Sequence, residues 1–486
     1  MSSKSLLGLS LSLALVVTGC GNNSGAGDTG GAGAAGGTGG SGAAGGTGGA
    51  GAAGGSGGGG GIVPKDCNDL PNTSAYSVPG APPTPVDDCD VTLSATGTDD
   101  HIQLITAIAQ AQTDDVICLQ PGDYDVGQTL DITLAAGITF KGIGDSPDDV
   151  VLNFRAPSAK GIFVSVNDVT IENLWVKNTP ENGVEQTGTS GSVFRKLHLS
   201  WDAGSVVENG AYAVYAEGCS DTIAEYNQVS GASDTGLYVE ACEGGRVNNN
   251  WVHANVAGVE IENSLDIEAY DNLVFDNTGG LLALQEPFSE EHFPNANILL
   301  RDNEVFCNNR ENFAKPGSIV AELPQGTGTL SFGSHGVEIR DNIMDGNISV
   351  AMLIASNVLL CQIAGQDCGY DDRPGYNPYP EKIYVHDNIY INNGTDPKSI
   401  LKDISVVTGL PMPEVIWDGF IREGLSDPEI CLGTETPLPT YLDVTQDQCQ
   451  GLNEAETLAC ILANATEDPT GRDCVVTFPV QKPDPI

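Results

Sequence analysis

The sequence predicts an all-β solenoid in which short parallel strands stack coil upon coil. An Asn-centred segment recurs along the middle of the 486-residue chain. Each copy carries short alternating apolar runs that are rich in β-branched residues and bounded by Gly, Asn or Asp, a pattern typical of strands. A single copy cannot bury its own apolar face, so the copies must pack against one another.

The spacing of the repeated asparagines sets the size of one coil. Neighbouring members are 23, 22, 31, 39 and 46 residues apart, which gives a minimal coil of about 22 residues with insertions in the later copies: Asn227, Asn250, Asn272, Asn303, Asn342 and Asn388. A weaker copy is centred on Asn173. Stacked strands lie about 4.8 Å apart, and buried amides need hydrogen-bond partners. We therefore expect a vertical ladder of asparagines.

From about Asp99 to Asn393, this pattern resembles the right-handed parallel β-helix of the pectin-lyase-like superfamily. Residues 115–124 are similar to the opening strand and turn of that superfamily. The preceding segment, His101–Gln112, predicts a helix that caps the first coil, with Ile102, Ile105, Ala109 and Gln112 along one side. A leucine-rich horseshoe has a comparable period, but Leu does not recur at the required positions.

Residues 324–328 and the coil after them are similar to a bacterial group known as parallel β-helix repeat proteins. That resemblance implies an architecture but no particular activity. The resemblance to the superfamily as a whole implies, for its lyases and epimerases, a calcium site of acidic residues with a basic partner. No Arg or Lys recurs beside the acidic columns described below, which counts against a straightforward lyase.

The N-terminus predicts export. Lys4 precedes an apolar stretch, residues 6–17, that is too short to cross a bilayer. The stretch ends in Val17-Thr18-Gly19-Cys20, which resembles the lipobox of bacterial lipoproteins. The resemblance implies acylation of Cys20 and stable anchoring by two or more acyl chains, with Gly21 favouring the outer membrane. The alternative is an ordinary signal peptide with an incidental cysteine.

The composition then divides the chain into five parts. Residues 1–19 are the predicted signal peptide, and 20–61 are the lipidated cysteine and a Gly/Ala-rich tether that buries too little apolar surface to order itself. Residues 62–98 form an N-terminal extension, 99–395 the parallel β-helix and 396–486 a disulfide-containing C-terminal cap. A cap is expected because a solenoid end exposes core and strand edges.

Charge and cysteine content limit the partners and the compartment. The chain has 65 acidic and 20 basic residues, a net charge of −45, which repels nucleic acid and anionic lipid headgroups. We expect a monomer that meets the bilayer only through its N-terminal anchor. Twelve of the thirteen cysteines remain when Cys20 is set aside. An even number of cysteines indicates disulfides in an exported chain. Cys219 and Cys242 occupy the same position in adjacent coils and should be bonded.

Candidate site residues follow from a strand that recurs fourteen residues before the ladder asparagines. Strand alternation points Val214, Leu237 and Val259 inward. Two columns of side chains then point outward. The first contains Tyr215, Tyr238 and Glu260, and the second, two residues later in each strand, contains Glu217, Glu240 and Glu262. The next copy, at 280–284, breaks both columns.

Stacked carboxylates repel one another, so the Glu217, Glu240 and Glu262 column needs compensation. A cation such as Ca²⁺, a nearby Arg, or a proton held by a raised pKa would each supply it. Carboxyl groups in different protonation states suit general acid and base catalysis. Neighbouring coils approach the spacing of retaining glycosidases and next-but-one coils that of inverting ones. The alternative is a solvated acidic face on a very acidic protein.

A further outward column contains Arg301 and Arg340, which could bind a substrate carboxylate or sulfate. The alternative is pairing with the adjacent Asp302 and Asp341. The scattered histidines form no spaced metal motif, and we interpret them as structural or surface residues: His198, His253, His292 and His335.

Two classes of function remain open at this point. The first is a surface-anchored protein that binds or processes an uncharged or mildly acidic polysaccharide through the Tyr and Glu columns, as a lyase or glycoside hydrolase if it is an enzyme. The second is a non-catalytic envelope scaffold for adhesion or protein interaction. Fold analogy favours the first. The long insertions, 286–297, 308–336 and 359–382, are expected to build the binding wall.

Overall fold

The computed structural model describes residues 63–157, 159–286, 295–359, 376–434, 437–445, 460 and 463–478. In these residues the strands form one sheet of 20 strands and one of 11 strands, and neighbouring strands are parallel. The predicted signal peptide, Cys20 and the tether lie outside the described residues. None of the helices in the described part of the chain is both long and apolar enough to cross a bilayer.

The 20-stranded sheet contains β1 (Val91–Leu93), β2 (Val116–Leu119), β3 (Gly122–Val126), β5 (Thr139–Gly142), β6 (Val150–Phe154), β8 (Thr170–Lys177), β10 (Val193–Ser200), β12 (Ser220–Glu225), β13 (Gln228–Ser230), β15 (Glu243–Asn248), β16 (Trp251–His253), β18 (Leu265–Tyr270), β19 (Leu273–Phe275), β21 (Ala296–Arg301), β22 (Glu304–Phe306), β24 (His335–Arg340), β25 (Ile343–Asp345), β27 (Glu381–His386), β28 (Ile389–Ile391) and β30 (Ile430–Cys431). The 11-stranded sheet contains β4 (Leu130–Ile132), β7 (Ile162–Val164), β9 (Val184–Thr187), β11 (Tyr212–Glu217), β14 (Thr235–Glu240), β17 (Ala257–Glu262), β20 (Gly279–Leu284), β23 (Thr327–Phe332), β26 (Val350–Ala355), β29 (Val415–Trp417) and β31 (Tyr441–Asp443). The helices are α1 (His101–Gln110) and α2 (Ser399–Thr408), with 3-10 turns at Pro147–Asp149 and Ile319–Glu322.

Each repeated coil turns sharply just before its ladder asparagine. Asp271 and Asp302 have φ of 54° and 53°, in the left-handed region that Asp and Asn enter more readily than most residues. Asn272 and Asn303 follow them with their amides pointing inward. The Asp-Asn pair in the sequence therefore has two separate tasks: the first residue makes the corner and the second fills the ladder.

The asparagine ladder is confirmed. Asn227 Nδ2 donates to Asn250 Oδ1 at 3.0 Å, and Asn250 Nδ2 donates to Asn272 Oδ1 at 2.9 Å. The chain of amides continues through Asn303 and Asn342 to Asn388. Asn173, by contrast, is not a member. It has a φ of 56° at the corner position, and its amide donates to the backbone oxygens of Gly142 and Gly144.

A second ladder runs beside the first and was not predicted. Each member follows a member of the first ladder by five residues, a constant offset that the sequence displays, and the amides bond at 3.0–3.1 Å: Asn255, Asn277, Asn308, Asn347 and Asn393. The two ladders hold two corners of the coil in register. In the first repeated coil Ala232 takes the place of asparagine, and its backbone N–H donates to Asn255 Oδ1.

The capping helix is present, but the side that it buries is not the one formed by Ile102, Ile105, Ala109 and Gln112. α1 buries Leu104, Ala107 and Ile108, whereas Ile102 is 63% exposed. Both sets of residues have helical spacing, and the choice between them depends on how the helix lies across the end of the first coil. Periodicity alone does not determine that orientation.

Disulfides fasten the two ends of the molecule and its middle. The predicted bond between Cys219 and Cys242 is present, with Cα atoms 4.4 Å apart. Other bonds tie the N-terminal extension to the coils, Cys67 to Cys307 and Cys89 to Cys118, and a fourth joins Cys431 to Cys474. The coils also extend past the predicted boundaries at residues 99 and 395, because β1 lies before them and β29, β30 and β31 after them.

Candidate functional site

The predicted columns lie on the outer face of the 11-stranded sheet in the expected register. Tyr215 pairs with Tyr238, and Tyr238 pairs with Glu260, across β11, β14 and β17. In the same three strands, Glu217 pairs with Glu240 and Glu240 pairs with Glu262. Their inward neighbours, such as Val214 and Leu237, are buried in the core. The strand alternation read from the sequence therefore gave the correct face.

The two columns are joined by diagonal hydrogen bonds from one coil to the next. Tyr215 Oη donates to Glu240 Oε2 at 2.5 Å, and Tyr238 Oη donates to Glu262 Oε2 at 2.7 Å. Glu260 takes the tyrosine position in the third coil and accepts a hydrogen bond of 2.5 Å from Thr235 Oγ1. Each of these three bonds is a separate pair that joins a side chain of one coil to a carboxyl group of the next.

Three further residues belong to this site and were not predicted. Tyr212 packs against both Tyr215 and Tyr238, with ring centroids 4.8 Å from each. Asp234 precedes β14 and its charge acts on Glu260, whereas Glu286 follows β20 and is acted on by the charges of the other acids. Tyr212 has the same parity as the inward residue Val214 on its strand, so strand alternation gave no reason to expect its ring beside the outward tyrosines. Asp234 and Glu286 lie outside the repeated strands, where alternation gives no signal.

The acid cluster, defined as Asp234, Glu240, Glu260, Glu262 and Glu286, is largely enclosed. Glu260, Glu262 and Glu286 are only 4%, 6% and 6% exposed. Glu240, like Glu217 and Tyr215, is half-buried. The prediction of a fully outward-facing stripe therefore holds for the direction of the side chains but not for their contact with solvent.

Enclosure changes the protonation of the acid cluster. Burial, opposed by a hydrogen bond from Tyr238 and reinforced by the charge of Glu240, raises the pKa of Glu262 to about 8. Burial and the neighbouring acids raise the pKa of Glu260 and of Glu286 well above the usual range of a carboxyl group. Burial also raises the pKa of Asp234 to about 6. These raised pKa values agree with one of the three predicted kinds of compensation, a retained proton.

The tyrosine stack, defined as Tyr212, Tyr215 and Tyr238, does not present open ring faces throughout. Tyr215 and Tyr238 are nearly parallel, at 11° with centroids 5.0 Å apart, so each covers a face of the other. Tyr238 is 7% exposed, whereas Tyr212 and Tyr215 are half-buried. The accessible aromatic surface is therefore at the Tyr212 and Tyr215 side.

The coil before the tyrosine stack carries an ion pair on the same face. Lys160 Nζ lies 2.5 Å from Glu185 Oε1 and 4.7 Å from the ring centroid of Phe163. Glu185 pairs with Tyr215 in the register of β9 and β11. Asn182 donates to the other oxygen of Glu185 at 2.7 Å. The face thus runs from an ion pair, through tyrosines, to neutral carboxyl groups.

Arg301 and Arg340 lie on a different surface, the outer side of the 20-stranded sheet, where they pair with each other in register. Arg301 bonds Glu268 at 2.5 Å and Asp302 at 2.8 Å. Arg340 bonds Asp341 and lies 3.4 Å from Glu338. The structure does not bring these arginines to the Tyr and Glu columns, and it shows the pairing with neighbouring carboxylates that was the alternative interpretation.

The described residues contain one group of three ligand-type side chains close enough to hold a metal ion, Asp88, Cys89 and Cys118. Both cysteines are in a disulfide with each other, so their sulfur atoms are not thiolate ligands. The carboxyl groups of the acid cluster do not converge in this way.

An apolar cavity of about 70 Å³ opens on the same outer face, one coil beyond the acid cluster. Glu260 and Glu262 pair in register with Leu282 and Leu284 of the cavity wall. Part of the second predicted insertion, the 3-10 turn at Ile319–Glu322 and the residues after it, forms another wall. Most of the first and third insertions lie outside the described residues.

Comparison with known proteins agrees with this architecture. A family model described as "Right handed beta helix region" matches residues 150–288. The fold is a right-handed parallel β-helix. No curated protein sequence matches the chain.

Solved structures similar to this right-handed β-helix include three carbohydrate-related proteins. The mannuronan C-5 epimerase AlgE4 A-module of Azotobacter vinelandii has a TM-score of 0.48 and 13% identity, covering 68% of this chain and 91% of that one. The catalytic domain of a GH87 alpha-1,3-glucanase has a TM-score of 0.40 and 10% identity, covering 65% and 67%. DFA-IIIase from Arthrobacter chlorophenolicus A6 has a TM-score of 0.39 and 13% identity, covering 67% and 88%. Likenesses this low say nothing about chemistry.

Proposed function

We propose that the protein binds polysaccharide along the outer face of the 11-stranded sheet and processes it by acid–base chemistry. One observation carries the proposal: Glu262, whose pKa is raised to about 8, stands in register directly beside Glu240. At neutral pH a proton donor and a second carboxyl group are then held on neighbouring strands. Such pairs are what acid–base chemistry on a glycosidic bond requires.

The spacing and the surroundings suit a sugar chain. Neighbouring strands lie about 4.8 Å apart, close to the roughly 5–5.5 Å between the carboxyl groups of retaining glycosidases. Tyr212 and Tyr215, both half-buried, offer ring surface on the approach to Glu240. In this arrangement the sugar contacts the tyrosines and Glu240, and Glu262 supplies the proton. On the same face, Lys160 is bound to Glu185 and is therefore already paired, which favours uncharged over strongly anionic chains.

The test is binding and turnover on a broad panel of neutral polysaccharides, by glycan array and reducing-sugar release. Glu240→Gln should lower turnover by about 100-fold or more, the usual contribution of an acid–base group. Glu243→Gln, an exposed glutamate at the start of β15, is the matched control and should leave turnover unchanged. The rate should also fall as the pH rises past about 8, where Glu262 loses its proton.

A parent protein that neither binds nor cleaves any member of the panel would contradict the proposal. That outcome would favour the scaffold function, in which the solenoid is an interaction surface without chemistry. Equal turnover by Glu240→Gln and the parent protein would instead remove Glu240 from the reaction.

We also propose that the β-helix is exported and held at a bacterial surface by acyl chains on Cys20, in the outer membrane. The lipobox-like residues before Cys20 and the Gly/Ala-rich segment after it support this proposal. Membrane fractionation of the parent protein and of Cys20→Ser tests it. The parent should sediment with membranes and the variant should be released, whereas identical fractionation would contradict anchoring at this residue.

A further inference from the structure

An apolar cavity lies beside the acid cluster. Its walls are aliphatic and aromatic side chains of β20, β23 and β26 and of the turn after residue 319, among them Leu282, Leu284, Leu323, Leu330, Phe332 and Leu353. These side chains continue the two outward columns of the site, because Glu260 and Glu262 pair with Leu282 and Leu284. A chain lying along the columns would reach the cavity within one coil.

Two carboxyl groups line the cavity, Glu286 and Glu322, and of the two Glu322 is exposed whereas Glu286 is buried. Glu286 lines the cavity and is 6% exposed, and no other described residue makes a hydrogen bond to its carboxyl oxygens. Its backbone is held in place, since its N–H donates to Asn263 Oδ1 at 2.9 Å. Burial and the charges of Glu262 and Glu260 raise its pKa well above the usual range. This shift favours the protonated form of the carboxyl group, which has an O–H to donate.

We propose that the cavity binds a short acyl substituent, such as an acetyl ester, carried by the polysaccharide. The carbonyl oxygen of the acyl group accepts the hydrogen bond from Glu286, and the alkyl end packs against the leucines and Phe332. This inference rests on the proposed function and specifies its substrate class. That class is a polysaccharide whose sugars carry short acyl groups.

The size of the cavity sets the size of the substituent. A water molecule needs roughly 10–15 Å³ of such volume, and a cavity of about 150 Å³ accepts benzene. The value here, about 70 Å³, lies between them and suits an acyl group of a few carbon atoms. Longer acyl chains would have to extend beyond the described wall.

The chemistry of the walls selects against charged alternatives. A substituent carboxylate would have to leave water for an apolar wall in which no described Lys, Arg or His lines the cavity, and burying an unpaired charge is costly. An ammonium group would have to leave water for a wall of leucines, which is costly unless the charge is paired. An ester or amide has a carbonyl acceptor and an apolar end, and it matches both parts of the cavity.

Matched pairs of polysaccharide test the inference. The probes are xylan, glucomannan and a β-glucan, each in an O-acetylated form and in the saponified form of the same preparation, with binding measured by affinity electrophoresis and titration calorimetry. The parent protein should bind the acetylated form of at least one of them at least about tenfold more tightly than its saponified counterpart, a difference of 1.4 kcal/mol or more.

Variants locate the preference in the cavity. Leu330→Phe fills the space and Glu286→Leu removes the donor, and either should abolish the preference. Glu286→Gln keeps an N–H donor and should retain it. Leu134→Phe, at a leucine that is 72% exposed elsewhere on the molecule, is the control for an added ring. Melting temperatures of all variants confirm that they are folded.

The outcomes separate this inference from the function on which it rests. Equal binding of acetylated and saponified forms would overturn the acyl site and leave polysaccharide binding standing. A preference that survives both Leu330→Phe and Glu286→Leu would place the acyl group elsewhere and would also overturn the site. Binding to neither form of any probe would remove the proposed function and the acyl site together.

Discussion

Replacing Glu262 with glutamine should stabilise the protein at neutral pH, although it removes a carboxyl group from the acid cluster. The pKa of Glu262 is raised from 4.5 to about 8. Between these values the folded state holds a proton that the unfolded state has lost, so the free energy of unfolding falls as the pH rises. The stability contributed by this carboxyl is fully present below pH 4.5 and is lost by about pH 8.

The size of the effect follows from the same shift. At pH 7 the unfolded side chain is ionised and the folded one is still protonated, a difference of about 2.5 pH units, or about 3 kcal/mol at 1.36 kcal/mol per unit. Glutamine stays neutral in both states, and its Oε1 can still accept the hydrogen bond from Tyr238. For a chain of this length, about 3 kcal/mol corresponds to a rise in melting temperature of roughly 3 °C.

Differential scanning calorimetry at pH 4 and pH 7, with disulfides intact, measures this rise. Glu262→Gln should melt higher than the parent at pH 7 and equal to it at pH 4. Glu217→Gln is the matched control, since Glu217 is in the same column but half-buried, and it should change the melting temperature by less than about 1 °C. A rise of the same size at both pH values, or a lower melting temperature at pH 7, would refute the reasoning.

Three other outcomes are expected. Asn272→Ala leaves the backbone N–H and the side-chain amide N–H of Asn250 without an acceptor and should cost about 3–5 kcal/mol of unfolding free energy. Asn227→Ala, at the end of the ladder, deprives one backbone N–H of its acceptor and should cost less. Urea melts compare the two variants. Asp418→Asn should change the stability little at pH 7, because two effects oppose each other. Both oxygens of Asp418 accept backbone N–H groups, from Ser356 and Phe420, so an amide NH₂ facing one of them should cost about 2–3 kcal/mol. Burial raises the pKa of Asp418 to about 7, so a side chain that is neutral in both states recovers a similar amount; a change in melting temperature of more than about 3 °C would contradict this balance. Millimolar calcium should shift the melting temperature by less than about 1 °C, because protons already compensate the acid cluster, whereas a specific ion would stabilise the fold by mass action.

The sequence predicted the repeat, the strand alternation and the vertical register of the Tyr and Glu columns. Each depends on local rules: side chains alternate every two residues, and stacked coils repeat at a fixed distance. For the same reason the Cys219–Cys242 bond could be predicted from equivalent positions in adjacent coils. The second asparagine ladder was equally local, and its constant offset of five residues would have revealed it.

The site itself depended on contacts that the repeat does not encode. Asp234 and Glu286 lie outside the repeated strands, and the cavity wall includes Leu323 from an insertion with no counterpart in other coils. The arginines illustrate the same limit. Arg301 and Arg340 occupy equivalent positions as predicted, but their carboxylate partners, including Glu268 of the preceding coil, could not be ranked from spacing alone.

By itself, the sequence determined the coil: its period, the corner made by Asp before Asn, the ladder and the face to which Tyr215 and Glu240 point. The tertiary structure decided which of those outward residues are in contact with water. Exposure depends on segments that are distant along the chain and fold over the sheet, and burial is the largest cause of the raised pKa of Glu262. A column of charges predicted from spacing therefore became, in the folded protein, a protonated and enclosed acid cluster.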